Sequence, residues 1–223
     1  MGQSLQILLG IATVANVIVL MHYRHELRVS VPAAVMLAVF HTIVGVLCVK
    51  LFAGLETFSN PLNSGMSLFG GIFFLPVFYA FCAKLFKRDV RVVFDVFGIC
   101  MVVTLAFARI NCILSGCCLG AYIPGTDTQW PTREVEVVFW IILAAVLIVL
   151  KERGTMEGRL YLVVMIAYGL FRFVEEFFRQ NVVLFGVFHI AHIWAVVCFL
   201  IGTTLYFYMI EKAADIEKGP RNA

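Results

Sequence analysis

The side chains best suited to chemistry are charged groups set among apolar ones. In YGLFRFVEEFFRQ, Arg172, Glu176 and Arg179 recur at i, i+4 and i+7, with Glu175 beside them. That spacing puts them on one helix face. In LAFARINCILSGCCLGAY, Arg109 and Asn111 precede Cys112, Gly116, Cys117, Cys118 and Gly120. PTREVE adds Glu136, and FHIAHIW adds His189 and His192 at i and i+3. Guanidiniums balanced by carboxylates suit a phosphate, because the planar fork offers bidentate, permanently charged donors. The same residues also fit an internal ion-pair network that fixes helix packing. His189 and His192 are candidates for a proton carrier, whereas His41, inside an apolar run, reads as a hydrogen-bonded core histidine.

The cysteines admit three readings. Cys112, Cys117 and Cys118 pack as small residues, form a disulfide from Cys112 to Cys117 or Cys118, or bind metal with His189 and His192. Adjacent cysteines make a poor structural zinc pattern, which prefers two to four residues between ligands, so no metal is expected. SGMSLFGG supplies Gly70 and Gly71. Paired glycines either let an anion approach the backbone or let two helices pack closely.

Those groups are positioned by apolar segments. The chain has 223 residues, 62% hydrophobic and 14% charged, against about 25% charged in a soluble domain. With a mean hydropathy of +0.96, this composition implies a polytopic, all-α membrane protein. A net charge of +3 points to no nucleic-acid partner, and no motif calls for a cofactor. Spans need roughly 20 apolar residues, and seven are expected, at about 4–21, 31–53, 67–85, 92–113, 135–150, 160–178 and 184–209. Together they form a single integral membrane domain. The first lacks the basic region and small-residue cleavage site of a leader. Of 17 Lys and Arg, all but Lys50, Arg109, Arg133, Arg172 and Arg179 fall in the loops after spans 1, 3 and 5 or in the tail. Basic residues mark the cytoplasmic side, so the N-terminus is expected outside. Arg172 would then stand roughly 20 Å above the cytoplasmic end of the hydrocarbon core. A guanidinium at that depth is costly unless it is paired or lines a polar cavity, so function is the default reading.

Four blocks, running from about residue 64 to 180, resemble the bacterial prolipoprotein diacylglyceryl transferases. GMSLFGG is similar to the family's G-x-S-F-H-G-G, with Phe69 where the family has histidine. ARINCILSGCCLG resembles the family's arginine block in a cysteine form, G-R-I-G-C-F-x-x-G-C-C-x-G. PTREVE resembles P-x-Q-L-Y-E, and YGLFRFVEEFFR resembles Y-G-x-x-R-F-x-x-E-F-x-R. The resemblance implies transfer of a diacylglyceryl group from phosphatidylglycerol to the thiol of a lipobox cysteine, at the outer face of the bacterial cytoplasmic membrane. It implies that Arg109 and Arg172 hold the phosphate and that Glu136 and Glu176 orient them. Arg179, Asn111, Gly70, Gly71, Gly116 and Gly120 are then expected at the substrate, and a base receives the thiol proton, a place that His189 or His192 could take where Phe69 replaces the family histidine. A lipid-binding protein of the same fold that has lost catalysis is the alternative. The partners implied are an anionic phospholipid and a lipobox protein or small-molecule acceptor.

Overall fold

The computed structural model describes residues 2–58, 60–61, 65–180 and 185–218. It is 78% helix, with no strand among the described residues. The helices are α1 (Gln3–His22), α2 (Arg24–Leu27), α3 (Val31–Thr57), α4 (Leu68–Leu85), α5 (Val90–Ser115), α6 (Thr132–Glu152), α7 (Leu160–Glu175) and α8 (Ile190–Lys218), with a 3₁₀ turn at Glu176–Phe178. Five of these, α1, α3, α4, α5 and α8, are long and apolar enough to cross a membrane. Helix α6 carries charged residues at both ends, Arg133, Glu134 and Glu136 at one and Lys151 and Glu152 at the other, and α7 has only 16 residues before its geometry changes. The seventh expected segment starts later than its apolar run does. Residues 185–189 form a turn ahead of Ile190, and residue 184 lies outside the described residues. The short α2 turn was not foreseen.

Local chemistry accounts for the helix ends. Pro32 in the first turn of α3 gives up an amide with no intrahelical partner there. The Asp89 side chain caps α5 by accepting the Arg91 amide at 2.8 Å. Gly116 ends α5 in the left-handed conformation (φ 66°) that glycine adopts without strain.

Helix α5 is the most enclosed of the five apolar helices and packs against α1, α4, α6 and α7. The outward faces are apolar: Ile7, Ile11, Val14 and Ile18 of α1 and Ile193, Val196 and Leu200 of α8 are exposed. Polar groups turn inward instead, as lipid demands. Asn16 Nδ2 donates to Thr104 Oγ1 at 2.8 Å. His41 is fully enclosed, 3.0 Å from the Tyr79 hydroxyl and 3.4 Å from Asn16. This is the core histidine anticipated above.

The two ends of the bundle differ. At one end Asp95 of α5 accepts the Gly158 and Leu160 amides at 2.6 and 2.9 Å, which starts α7. Lys151 pairs there with Glu26 at 2.8 Å. At the other end α3 and α4 meet closely. A Cβ on Gly70 would lie 2.3 Å from the Cys48 carbonyl oxygen, so Gly70 is a close-packing residue. Helices α7 and α8 approach similarly at Gly169, where a Cβ would come within 2.8 Å of the Ala195 oxygen and the Phe199 nitrogen. That contact sets the position of Arg172, three residues further along α7.

Candidate functional site

Six helix ends converge on this second end of the bundle. The end of α3 brings Glu56 and Thr57, and the start of α4 brings Ser67 and Phe69. The ends of α5 and α7 bring Arg109 and Arg172, and the entry to α8 brings His189. All of these line a cavity of about 360 Å³, together with Cys118, Tyr168, Glu176 and Arg179. Helix α6 contributes Glu136 from beneath, with no exposed surface.

The charged groups form one connected cluster. Arg109 Nε lies 2.7 Å from Glu136 Oε1, while Arg109 Nη1 reaches the Cys112 sulfur at 3.7 Å. Arg172 pairs with Glu175 through Nη1 and with Glu176 at 2.6 Å through Nη2. Arg179 Nη1 bridges Glu175 Oε1 at 3.0 Å and Glu136 Oε2 at 3.3 Å. His189 Nδ1 stands 3.2 Å from Glu176 Oε1. All three arginines are 7% exposed. Buried ions survive when their partners are close and their remaining hydrogen bonds are met, and here each guanidinium touches at least one carboxylate. Three guanidiniums thus face three carboxylates, those of Glu136, Glu175 and Glu176. A guanidinium has five N–H donors, so pairing with carboxylates leaves further donors for an anion in the cavity.

Arg179 does not continue the α7 face that its spacing predicts. The helix tightens into the 3₁₀ turn after Glu175, and Arg179 is extended (φ −100°, ψ 150°). It is held by a bridge to Gly120 and by the Gln180 amide donating to the Leu119 carbonyl at 3.3 Å. The contact with Glu175 is therefore made by a strand-like residue reaching back. Gly120 is required for it, because a Cβ there would lie 2.1 Å from the Trp130 oxygen. An adjoining apolar cavity of about 300 Å³ lies across Glu175, between Trp130, Val135, Phe171, Val174 and Phe178.

The model for prolipoprotein diacylglyceryl transferases matches residues 4–208 of this chain. The chain belongs to that family. It is similar to phosphatidylglycerol–prolipoprotein diacylglyceryl transferase of Clostridium tetani, at 26% identity over 137 residues, or 55% of each chain. It is also similar to phosphatidylglycerol–prolipoprotein diacylglyceryl transferase 2 of Clostridium perfringens, at 25% identity over 136 residues, covering 55% of this chain and 53% of the relative. The chain thus spans about half the length of the curated relatives it matches.

For a diacylglyceryl transferase family member, the site gathers some of the expected residues and disperses others. Arg109, Arg172, Arg179, Glu136, Glu176 and His189 come together as described. His192 does not line the cavity. Its Nδ1 accepts the His189 amide at 2.9 Å, at the start of α8, and its Nε2 is buried without a hydrogen-bond partner. Asn111 points away, accepting from Ser4 Oγ at 2.9 Å, and so ties α5 to α1. Gly70, Gly71, Gly116 and Gly120 stand outside the cavity lining and serve packing and turns. Ser64, at the head of the SGMSLFGG block, lies outside the described residues. Phe69, at the family's histidine position, is a cavity wall packed on Tyr168 with ring centroids 5.4 Å apart. Glu175 matters more than its place beside the motif suggests, since it pairs with two arginines. Glu56, Ser67 and Tyr168 were not singled out; Glu56 alone carried a signal, as an acid just past an apolar run.

Cys112, Cys117 and Cys118 are free thiols in this structure. The turn at Gly116 nevertheless folds the chain back so that the three sulfurs lie within 4.8 Å of one another. The Cys118 thiol, beyond the end of α5, is drawn below the usual thiol range. The hydrogen bond from Cys112 does most of this, against the cost of burial, and the nearby Arg109 and Arg179 add to it.

Proposed function

We propose that this protein is a phospholipid-dependent transferase that moves a diacylglyceryl group from an anionic, phosphatidylglycerol-like lipid to a thiol acceptor. In this reading the chain is one integral membrane domain with seven spans and its N-terminus outside. The site then opens at the outer face of the bacterial cytoplasmic membrane. The observation that carries the proposal is the cluster of Arg109, Arg172 and Arg179 around a cavity, at one end of an apolar-faced helix bundle. Family membership and the names of the two clostridial relatives support the substrate classes.

The chemistry follows from the groups present. The lipid phosphate lies among the guanidiniums, and the acyl region lies toward the apolar cavity beside Val135, Phe171 and Val174. The acceptor thiol passes its proton to His189, which is held toward the cavity by Glu176. Its sulfur forms a bond to the terminal glyceryl carbon as the carbon–oxygen bond to phosphate breaks. The bonding pair leaves with glycerol phosphate, and the arginines stabilise that developing charge. Glu136, Glu175 and Glu176 hold the guanidiniums in place.

The second reading, a lipid-binding protein without turnover, is favoured by Phe69, an apolar wall at the family's histidine position. One incubation separates the two. Purified protein is mixed with labelled phosphatidylglycerol and a lipobox peptide, and both products are sought by mass spectrometry. Glycerol phosphate together with a modified peptide is expected. Lipid that is bound but unchanged would establish the second reading instead.

A further inference from the structure

The proposed transfer ends on a thiol, yet the cavity wall at Phe69 offers no group to activate one. The three-cysteine cluster sits at the edge of the same cavity. Cys118 lines it directly, Cys112 touches Arg109, and Cys117 is exposed, 3.2 Å from Ser115 Oγ. Cys118 itself adopts a left-handed backbone (φ 59°), which is rare away from glycine and, where observed, is a reason to look for function. Three thiolates at about 2.3 Å from one ion stand about 4 Å apart, so sulfurs within 4.8 Å need move only slightly. The left-handed residues Gly116 and Cys118 turn the chain so that the adjacent pair and Cys112 present their sulfurs to one point.

Resting on the reading of thiol-directed transfer, we propose that Cys112, Cys117 and Cys118 hold a thiophilic d¹⁰ cation of the zinc class, with its fourth position open to the acceptor thiol. Three protein ligands and one open position are the pattern of a catalytic rather than a structural zinc site. Three thiolates on a divalent ion leave one net negative charge, beside which stands Arg109, its Nη1 3.7 Å from the Cys112 sulfur. Cys118 borders the cavity, so an acceptor thiol in the cavity can approach an ion held by the trio. The acceptor thiol loses its proton to His189 and binds the ion as a thiolate. Its sulfur then attacks the glyceryl carbon, the carbon–oxygen bond breaks toward the phosphate, and the neutral thioether leaves the metal as a weak ligand.

The test uses the full chain in detergent, reduced and stripped of metal, titrated with Co²⁺ alone. A thiolate-to-cobalt charge-transfer band saturating at one ion per chain is expected. Cys117→Ser, at an exposed position, should weaken binding by at least the roughly 10–100-fold that loss of an outer-shell partner costs a metal site. Cys112→Ser/Cys117→Ser/Cys118→Ser should abolish the band, while Cys82→Ala/Cys198→Ala, in buried positions elsewhere, should keep it. Absence of the band, its persistence in the triple variant, or a disulfide within the trio in chain taken directly from membranes would overturn the site. A cysteine-containing lipobox peptide should then shift the cobalt d–d bands, and its serine analogue should not. A cobalt site that ignores the peptide overturns the fourth-ligand role alone. These spectra need no lipid, so their failure is distinguishable from failure of the transferase reading.

Discussion

Glu136→Gln isolates the balance of charge in the cluster. Glu136 is fully buried and serves two arginines, Arg109 at 2.7 Å and Arg179 at 3.3 Å. The amide keeps the shape and one acceptor oxygen but removes the charge, leaving three guanidiniums against two carboxylates. Removing one partner of a buried ion pair costs about 3–5 kcal/mol, and the retained hydrogen bond argues for the lower part of that range. By the scaling of soluble domains, that lowers the melting temperature by on the order of 10 °C. An anionic phosphate in the cavity would replace the lost negative charge in the variant. Phosphatidylglycerol should therefore recover a larger share of the lost stability than phosphatidylcholine does, and a larger share than it adds to the wild type. The assay is thermal unfolding in detergent with each lipid added at equal concentration. Equal protection by the two lipids in the variant would refute the view that this cluster binds a phosphate. A melting temperature unchanged by the substitution would refute the pairing itself.

Arg172→Lys keeps the charge but not the planar fork that spans Glu175 and Glu176. Turnover of phosphatidylglycerol should fall by about 100-fold or more, measured as released glycerol phosphate. The two histidines should separate cleanly. His189→Ala should cut turnover by roughly 10²–10⁴-fold, whereas His192→Ala, which removes an acceptor at the start of α8, should lower the melting temperature and leave the turnover of folded protein largely intact. Gly169→Val drives a side chain against the α8 backbone, and unfolding should show a loss of about 1–3 kcal/mol.

The all-helical architecture and its long apolar helices were largely legible in the sequence, because a candidate span is a matter of length and apolarity. The segments expected at 31–53, 67–85 and 92–113 correspond to helices Val31–Thr57, Leu68–Leu85 and Val90–Ser115. Arg109 lies on α5, Glu136 on α6, and Arg172 and Glu176 on α7 and the turn that ends it, and they meet in one cluster.

Periodicity cannot report where a helix stops, and so the sequence placed Arg179 on a face it does not occupy. The 3₁₀ turn and the bridge to Gly120 decide its position. Nor can one strand of sequence say which neighbour a polar side chain will meet. Asn111 went to Ser4 across a helix contact, His192 turned to its own helix start, and Gly70 lets α4 pack closely on α3. The cysteines make the point most sharply. Their spacing in the chain argues against a shared ligand, while the left-handed turns at Gly116 and Cys118 bring three sulfurs together beside the arginines. Composition and period determined that this chain forms apolar helices with charges near one end. Only packing, which acts between residues far apart in sequence, decided which of those charges and thiols share a site.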